Sequence, residues 1–285
     1  MSKIAIVTDS TAYLPAEIVR GHEIHSVPLQ VIWGDETYRD GIDISPDQFY
    51  TRLPGSKINP TTSQPSPAAF REQYEKLAER GFEILSMHIS SKLSGTMDSA
   101  TQARESLPQL KIELHDSLST SMCLGFQIMT VMRAAEQGAS LQECKALAEQ
   151  ARENSGVLFL LNTLEFLRRG GRIGGAQAFL GTALNLKPIL EVREGRVEGI
   201  DKVRTWNKAT DRLLEIFEDR VGKRVPVRIA ALHGAAASDA ATILDRARKM
   251  YGPGDVSETV ITSVSPVVGV HTGPGVIGLA YMVKF

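Results

Sequence analysis

Short apolar runs that end in polar cap residues, then give way to helical periodicity, constrain this chain more than any other feature. Ile4–Val7 runs into Asp9-Ser10-Thr11, and Phe82–Ile89 and Lys111–His115 follow the same plan. Each is closed by a Ser/Thr-rich turn and followed by a helical pattern. An apolar run bounded in this way suits a strand covered on both faces. Its alternation with helices points to a parallel α/β sheet. Phe70, Tyr74 and Leu77 recur at helical spacing, with Ser66 as the cap and Pro67 at the first helical position. Ser119–Gln137 is apolar nearly all round and stops before Gly138, which predicts a buried helix with a glycine C-cap. Ser140 to Glu143 forms a capping box for the next helix.

Residues 26–57 break the alternation. Val27, Leu29, Val31 and Trp33 stand at period two, which predicts extended structure serving a different sheet. The texture changes again at Val157. Val157–Leu161 is a predicted strand, Thr163–Arg169 a short helix, and Ala176–Leu186 a further helix. Ile189–Val192 and Val197–Val203 flank Glu194-Gly195 as a hairpin. Asn207–Val221 reads as an amphipathic helix, Val227–Leu232 as a strand, Ser238–Tyr251 as a helix and Val256–Val264 as a strand. The last strand, Val276–Val283, follows a Gly/Pro turn at 273–275. The chain has 285 residues, against roughly 150 per domain. The expectation is a two-domain α/β protein: residues 1–156 with a parallel sheet and residues 157–285 with a mixed sheet. Residues 26–57 are expected to lend strands to the second domain.

Composition narrows the function. Thirty-two Lys and Arg against 33 Asp and Glu leave a net charge of −1, so nucleic acid is not an expected partner. Cys123 and Cys144 both fall in helical patterns, which argues against a disulfide framework or a cysteine-rich zinc site. The N-terminal apolar run is too short for a signal-peptide core, and no run of 18 apolar residues exists. A cytoplasmic protein is expected. The Gly-x-Ser-x-Gly elbow, the Walker A motif, the dinucleotide glycine spacing and paired metal ligands are all missing. Asp9, Asp98 and Asp116 have no nucleophile paired with them. No catalytic residue, metal or cofactor is therefore expected.

The segments that fall at the carboxyl ends of the strands, where open sheets bind ligands, are rich in neutral hydroxyls. They are Asp9-Ser10-Thr11, Thr61-Thr62-Ser63, Ser90-Ser91 with Ser94-Gly95-Thr96, and Ser117 to Ser121. Hydroxyl residues also cap helices, but several clusters at one sheet edge suggest a shared site. Gly95 allows close backbone approach, and the helix start after it suits an anion. Thr62 and Ser94 can complete that site without adding charge; a carboxylate or a phosphate fits equally. His271 lies in His271-Thr272-Gly273-Pro274-Gly275, where the turn residues fix its backbone. It can donate to an anion as the cation or as the neutral imidazole. Arg168, Arg169 and Arg172 surround two glycines, and Thr163 to Arg212 carries 10 basic against 6 acidic residues. That local excess suggests a docking face for an acidic partner, or weak transient contact with an anionic membrane surface.

Six segments, in order, resemble the DegV family of bacterial fatty-acid-binding proteins. They are Ile6 to Thr11, Asp40-Gly41-Ile42-Asp43, Thr61 to Ser66, Ser90 to Thr96, Arg169-Gly170-Gly171-Arg172-Ile173 and His271 to Gly275. The resemblance implies a three-layer α/β/α parallel-sheet domain and a two-layer mixed-sheet domain, a fold also similar to the substrate-binding part of dihydroxyacetone kinases. It implies a long-chain, palmitate-like fatty acid in an interdomain tunnel. Thr62 and Ser94 would hold the carboxylate, with His271 close by and Arg172 as a further contact. It also implies a fatty acid kinase partner that phosphorylates the bound acid, a step toward phospholipid synthesis.

The physics agrees with a lipid carrier. Burying about 14 methylenes is worth on the order of 11 kcal/mol gross, part of which is offset by ordering the ligand. A head group then needs only satisfied hydrogen bonds. Phe126, Phe159, Phe166, Ile173, Phe179 and Leu180 are the apolar residues expected near the tail. The competing reading is an enzyme or binding protein for a small phosphorylated or carbonyl compound at the same hydroxyl-lined edge.

Overall fold

The computed structural model describes residues 3–181 and 186–285. Along the chain the strands are β1 (Lys3–Asp9), β2 (Ile24–Val27), β3 (Gln30–Trp33), β4 (Glu36–Arg39), β5 (Thr61–Ser63), β6 (Phe82–His88), β7 (Ile112–Asp116), β8 (Ser155–Leu160), β9 (Lys187–Arg193), β10 (Arg196–Val203), β11 (Val227–His233), β12 (Val256–Ser263) and β13 (Ile277–Val283). The helices are α1 (Ala16–Val19), α2 (Pro46–Arg52), α3 (Pro67–Glu79), α4 (Thr96–Glu105), α5 (Ser121–Glu136), α6 (Leu141–Glu153), α7 (Glu165–Arg169), α8 (Trp206–Val221), α9 (Ala237–Arg248) and α10 (Pro266–Thr272). Among the described residues no helix is long and apolar enough to cross a membrane.

The first sheet is parallel throughout, in the order β2-β1-β6-β7. Helices α5 and α6 cover one face through Leu124, Ile128, Val131 and Leu141. Helices α3 and α4 cover the other through Phe70, Tyr74, Leu77 and Ala100. This is the three-layer arrangement. β1 leads to β2 on one side, whereas β6 leads to β7 on the other. The crevice between the carboxyl ends of β1 and β6 is therefore the point where a ligand is expected.

The second sheet is mixed, in the order β10-β9-β8-β13-β11-β12, with β11 and β12 parallel and the other pairs antiparallel. Its outer face is covered by α8 and α9 through Leu213, Leu214, Phe217 and Ile243. Its inner face, including Val157, Ala230, Ala280 and Met282, turns toward Met122, Phe126 and Met129 of α5. One helix thus serves two sheets, which explains why every residue from Ser121 to Met132 is buried and why the sequence is apolar all round. The predicted hairpin joins β9 to β10, with Glu194 and Gly195 at φ 49° and 81°. Positive φ at both central residues matches the twist of the flanking strands.

The interrupting segment divides. Ser26 and Val27 close β2 in the parallel sheet, while β3 and β4 join β5 in a small antiparallel sheet of their own. Val31 and Trp33 of this sheet pack with Phe49 and Tyr50 of α2 and with Val267 and Val270 of α10. Helix α10 departs from the sequence expectation, which passed from strand to turn here. Its three β-branched valines are weak helix formers, and its signals are the proline at the first helical position and Gly273 at the end. The helix expected over Ala176–Leu186 is also corrected. Gly174–Phe179 is a 3-10 turn, Leu180 is extended, and residues 182–185 lie outside the described residues.

Candidate functional site

A cavity opens beyond the carboxyl ends of β1 and β6 and runs along the inner face of the six-stranded sheet. Its atom-free space, open solvent at the mouth included, is about 920 Å3. The long walls are aliphatic, with Leu29, Ile89 and Leu93 on one side and Val157, Val197, Leu232 and Val276 on the other. Of the six residues expected near a tail, only Phe159 lines this space. Phe126, Ile173 and Phe179 pack into the core beside α5, Phe166 packs against the small sheet's cluster, and Leu180 is 39% exposed. The large rings fill the core, and smaller branched side chains leave the channel.

Thr62, Ser94, Arg172 and His271, which lie far apart in the sequence, all line this cavity. Contacts link them into a ring. Thr62 sits on β5, facing the cavity at period two with Gln64. Its Oγ1 is 3.0 Å from His271 Nε2 in the last turn of α10. The His271 ring lies so close to the Cα of Gly170 that a Cβ there would stand 2.0 Å from Nδ1. Arg172 donates from Nη1 to Gly170 O at 2.6 Å and from Nε to Leu93 O at 3.0 Å. Ser94 follows Leu93, and its Oγ is 2.8 Å from Thr96 Oγ1 at the start of α4. Gly95 is not a wall residue; its missing side chain makes room for the Gln64 amide, 2.9 Å from where a Cβ would be. Gln64 closes the ring beside Thr62.

The electrostatics of the ring follow from burial. The His271 ring is held down to a pKa of about 4, first by desolvation and then by the nearby Arg172 guanidinium. Burial and Arg172 thus favour the neutral imidazole at ordinary pH. Nδ1 is buried without a partner among the described residues. The proton is best assigned to Nε2, which then donates to Thr62 Oγ1 and frees the threonine hydroxyl to donate outward. No carboxylate among the described residues lies in ion-pair range of Arg172. Arg168 and Arg169 instead pair with Glu165, at 3.5 and 2.7 Å. The ring thus offers hydroxyl donors and one uncompensated guanidinium, a set suited to a single anion.

Gly170 and Gln64 are the contributors that the sequence reading did not single out. The glycine pair at 170–171 was the available signal, but close packing against a ring 101 residues away in the chain is not visible from composition. The Asp40 motif acts at a distance. Asp40 is buried and its Oδ1 accepts from Val267 N at 3.4 Å in the first turn of α10, while Asp43 holds Arg39 in a bidentate pair.

A family model described as "Uncharacterised protein, DegV family" matches residues 3–284. A DegV domain-containing protein of Streptomyces coelicolor is 42% identical over 278 residues, 97% of each chain. A DegV family protein of Thermus thermophilus, described by its fatty acid binding, superposes with a TM-score of 0.90 at 36% identity, over 99% of each chain. DegV of Bacillus subtilis, described as a fatty acid binding protein, gives a TM-score of 0.88 at 32% identity over 100% of both chains. With a match that spans nearly its whole length, and a fold shared with two such structures, this chain belongs to the DegV family.

Proposed function

We propose that this protein is a carrier that binds one long-chain fatty acid between its N-terminal unit, residues 1–156, and its C-terminal unit, residues 157–285. The carboxylate lies on the ring of Thr62, Ser94, Arg172 and His271, and the tail lies along the valine- and leucine-lined channel. The observation that carries this reading is the contrast within one cavity: linked polar groups in a ring, and aliphatic walls elsewhere. A small phosphorylated or carbonyl compound would leave most of that aliphatic surface against water, so the carrier reading is favoured over the enzyme.

The four ring side chains are chemically matched to a carboxylate. Thr62 and Ser94 supply hydroxyl donors, His271 orients Thr62, and Arg172, whose Nε and Nη1 are taken by Leu93 O and Gly170 O, balances the charge from the side without clamping both carboxylate oxygens. Leaving a carboxylate oxygen free of a charged clamp keeps it nucleophilic, so that it can attack the terminal phosphate of ATP on a fatty acid kinase. The bond between the terminal phosphorus and the bridging oxygen breaks, and the products are an acyl phosphate and ADP. The basic stretch from Thr163 to Arg212 offers the contact face for that kinase or for an anionic membrane during loading.

The test begins with solvent extraction of the purified, denatured protein; a stoichiometric fatty acid supports the reading, and an empty protein that takes no fatty acid ends it. The pair Thr62→Ala and Ser94→Ala should then weaken fatty acid binding by about tenfold or more, as loss of two charge-assisted hydrogen bonds implies. Unchanged affinity in that double variant would overturn the head-group assignment.

A further inference from the structure

The same cavity is lined by two further hydroxyls that, among the described residues, make no hydrogen bond to the carboxylate ring. Thr120 and Ser121, at the start of α5, both line the cavity. Their hydroxyls are buried, and among the described residues neither has a hydrogen-bond partner. Ser121 is only 3% exposed and is held at φ +54°, a left-handed conformation that serine seldom adopts. No side chain caps the first turn of this 16-residue helix, so its leading N–H groups add further donors in the same place. The ring hydroxyls differ: Thr62 is engaged by His271 and Ser94 by Thr96. Thr11, a third hydroxyl on the wall, is engaged by Asp9.

Buried polar groups without partners are rare in folded proteins and call for an explanation. A saturated hydrocarbon chain cannot satisfy them. Arg172 is the one cation on the cavity wall among the described residues, and its bonds to Leu93 and Gly170 hold it within the carboxylate ring. A second anion beside Thr120 and Ser121 would lack a counter-charge. The chemistry there suits an uncharged oxygen.

We infer that the cavity is built to take an oxygenated acyl chain, a hydroxy or keto fatty acid whose chain oxygen hydrogen-bonds to Thr120 and Ser121 while its carboxylate occupies the ring. This rests on the fatty acid reading above and names its substrate class more narrowly. Thr120 and Ser121 then select for the chain oxygen, and Thr62, Ser94, Arg172 and His271 for the acid.

The experiment measures displacement of a fluorescent fatty acid from the delipidated full-length protein. The competitors are stearic acid and a set of hydroxystearic acids with the hydroxyl near the carboxyl, at mid-chain and near the tail. One hydroxy isomer should bind about tenfold more tightly than stearic acid, the scale on which a buried donor discriminates against a missing partner. Thr120→Val and Ser121→Ala together should erase that ratio. No isomer preferred over stearic acid, or a preference that survives both substitutions, overturns the inference. Loss of stearic acid itself from the double variant also overturns it, because these hydroxyls would then be holding the carboxylate. If the wild-type protein binds no fatty acid at all, the carrier reading fails first and this inference falls with it. Thr120→Val is nearly isosteric, and the ratio in the wild-type protein needs no variant, so a folding defect does not remove the test.

Discussion

His271 keeps a neutral ring because burial and the Arg172 guanidinium both disfavour a second proton. In the unfolded chain a histidine takes up a proton below about pH 6.5, but in the fold this one does so only near 4. Between those values the unfolded chain binds more protons. Stability that is intact above pH 6.5 is therefore lost as the pH falls toward 4, by roughly 3 kcal/mol for this one group. His115, buried beside Gln127, is also held down to about 4 and adds to the same slope. Urea unfolding of the wild type and of His271→Gln, compared at pH 7 and pH 4.5, checks the share due to His271. The variant should show the shallower loss, and identical slopes would remove His271 as a cause. Gly170 belongs to the same argument. A methyl group at this position has no room beside the ring, so Gly170→Ala should push His271 away from Thr62. Fatty acid affinity should fall by about tenfold, as for other lost buried hydrogen bonds, while the far core stays intact. Calorimetric titration with a fatty acid reads this directly, and wild-type affinity in the variant would contradict the packing argument.

Helix α5 is the element on which both sheets depend. Phe126 is fully buried, and its neighbours come from the six-stranded sheet, whereas Leu124 and Ile128 of the same helix face the parallel sheet. Phe126→Ala should cost about 3–5 kcal/mol, measured as a shift of the urea midpoint. A cost below about 1 kcal/mol would mean that the surroundings collapse into the space. The sequence showed this helix clearly because sixteen residues of apolar pattern, with Gly138 behind them, leave little else to form. The capping box at Ser140 and the cap at Ser66 were equally legible, since a cap is a local bond between residues three apart. Helix α10 was not legible. Its seven residues are too few to show a period, and its placement comes from Asp40, Tyr50 and the small sheet, all distant in the chain. The strands β3 and β4 were visible only as extended character, and β5 was read not as a strand but as a hydroxyl cluster. That they form a separate sheet depends on pairings such as Val31 with Thr62, which no local pattern encodes.

At the scale of the whole molecule, the cavity lies beside α5, which packs between the two large sheets. Hydroxyl clusters after β1, β6 and β7 marked one end of the cavity, because open parallel sheets bind ligands beyond the carboxyl ends of their strands, whereas Thr62 reaches it from β5 of the small antiparallel sheet, which that rule does not cover. The channel walls were hidden, since a valine on a core wall and a valine on a channel wall have the same hydropathy. Three bonds cross near the mouth: Ser90 Oγ to Gly195 O at 2.8 Å, Lys92 Nζ to Glu194 O at 2.7 Å, and Arg172 Nε to Leu93 O at 3.0 Å. They tie the loop after β6 to the β9–β10 hairpin and to the segment after α7. A hydrocarbon chain in the channel would touch wall residues from both halves at once, Leu29, Ile89 and Leu93 on one and Val157, Leu232 and Val276 on the other, so its removal should loosen the molecule as a unit and not one half alone. Ligand at a free concentration a hundredfold above its dissociation constant adds about 2.7 kcal/mol by mass action. Delipidated protein should therefore melt several degrees lower than protein resupplied with fatty acid. Hydrogen exchange should slow on refilling both at the inner strands β8 and β13 and at the loop Ser90–Ser94. Protection gained on one side only would show that the ligand contacts a single sheet, and an unchanged melting temperature would show that nothing is bound in the channel.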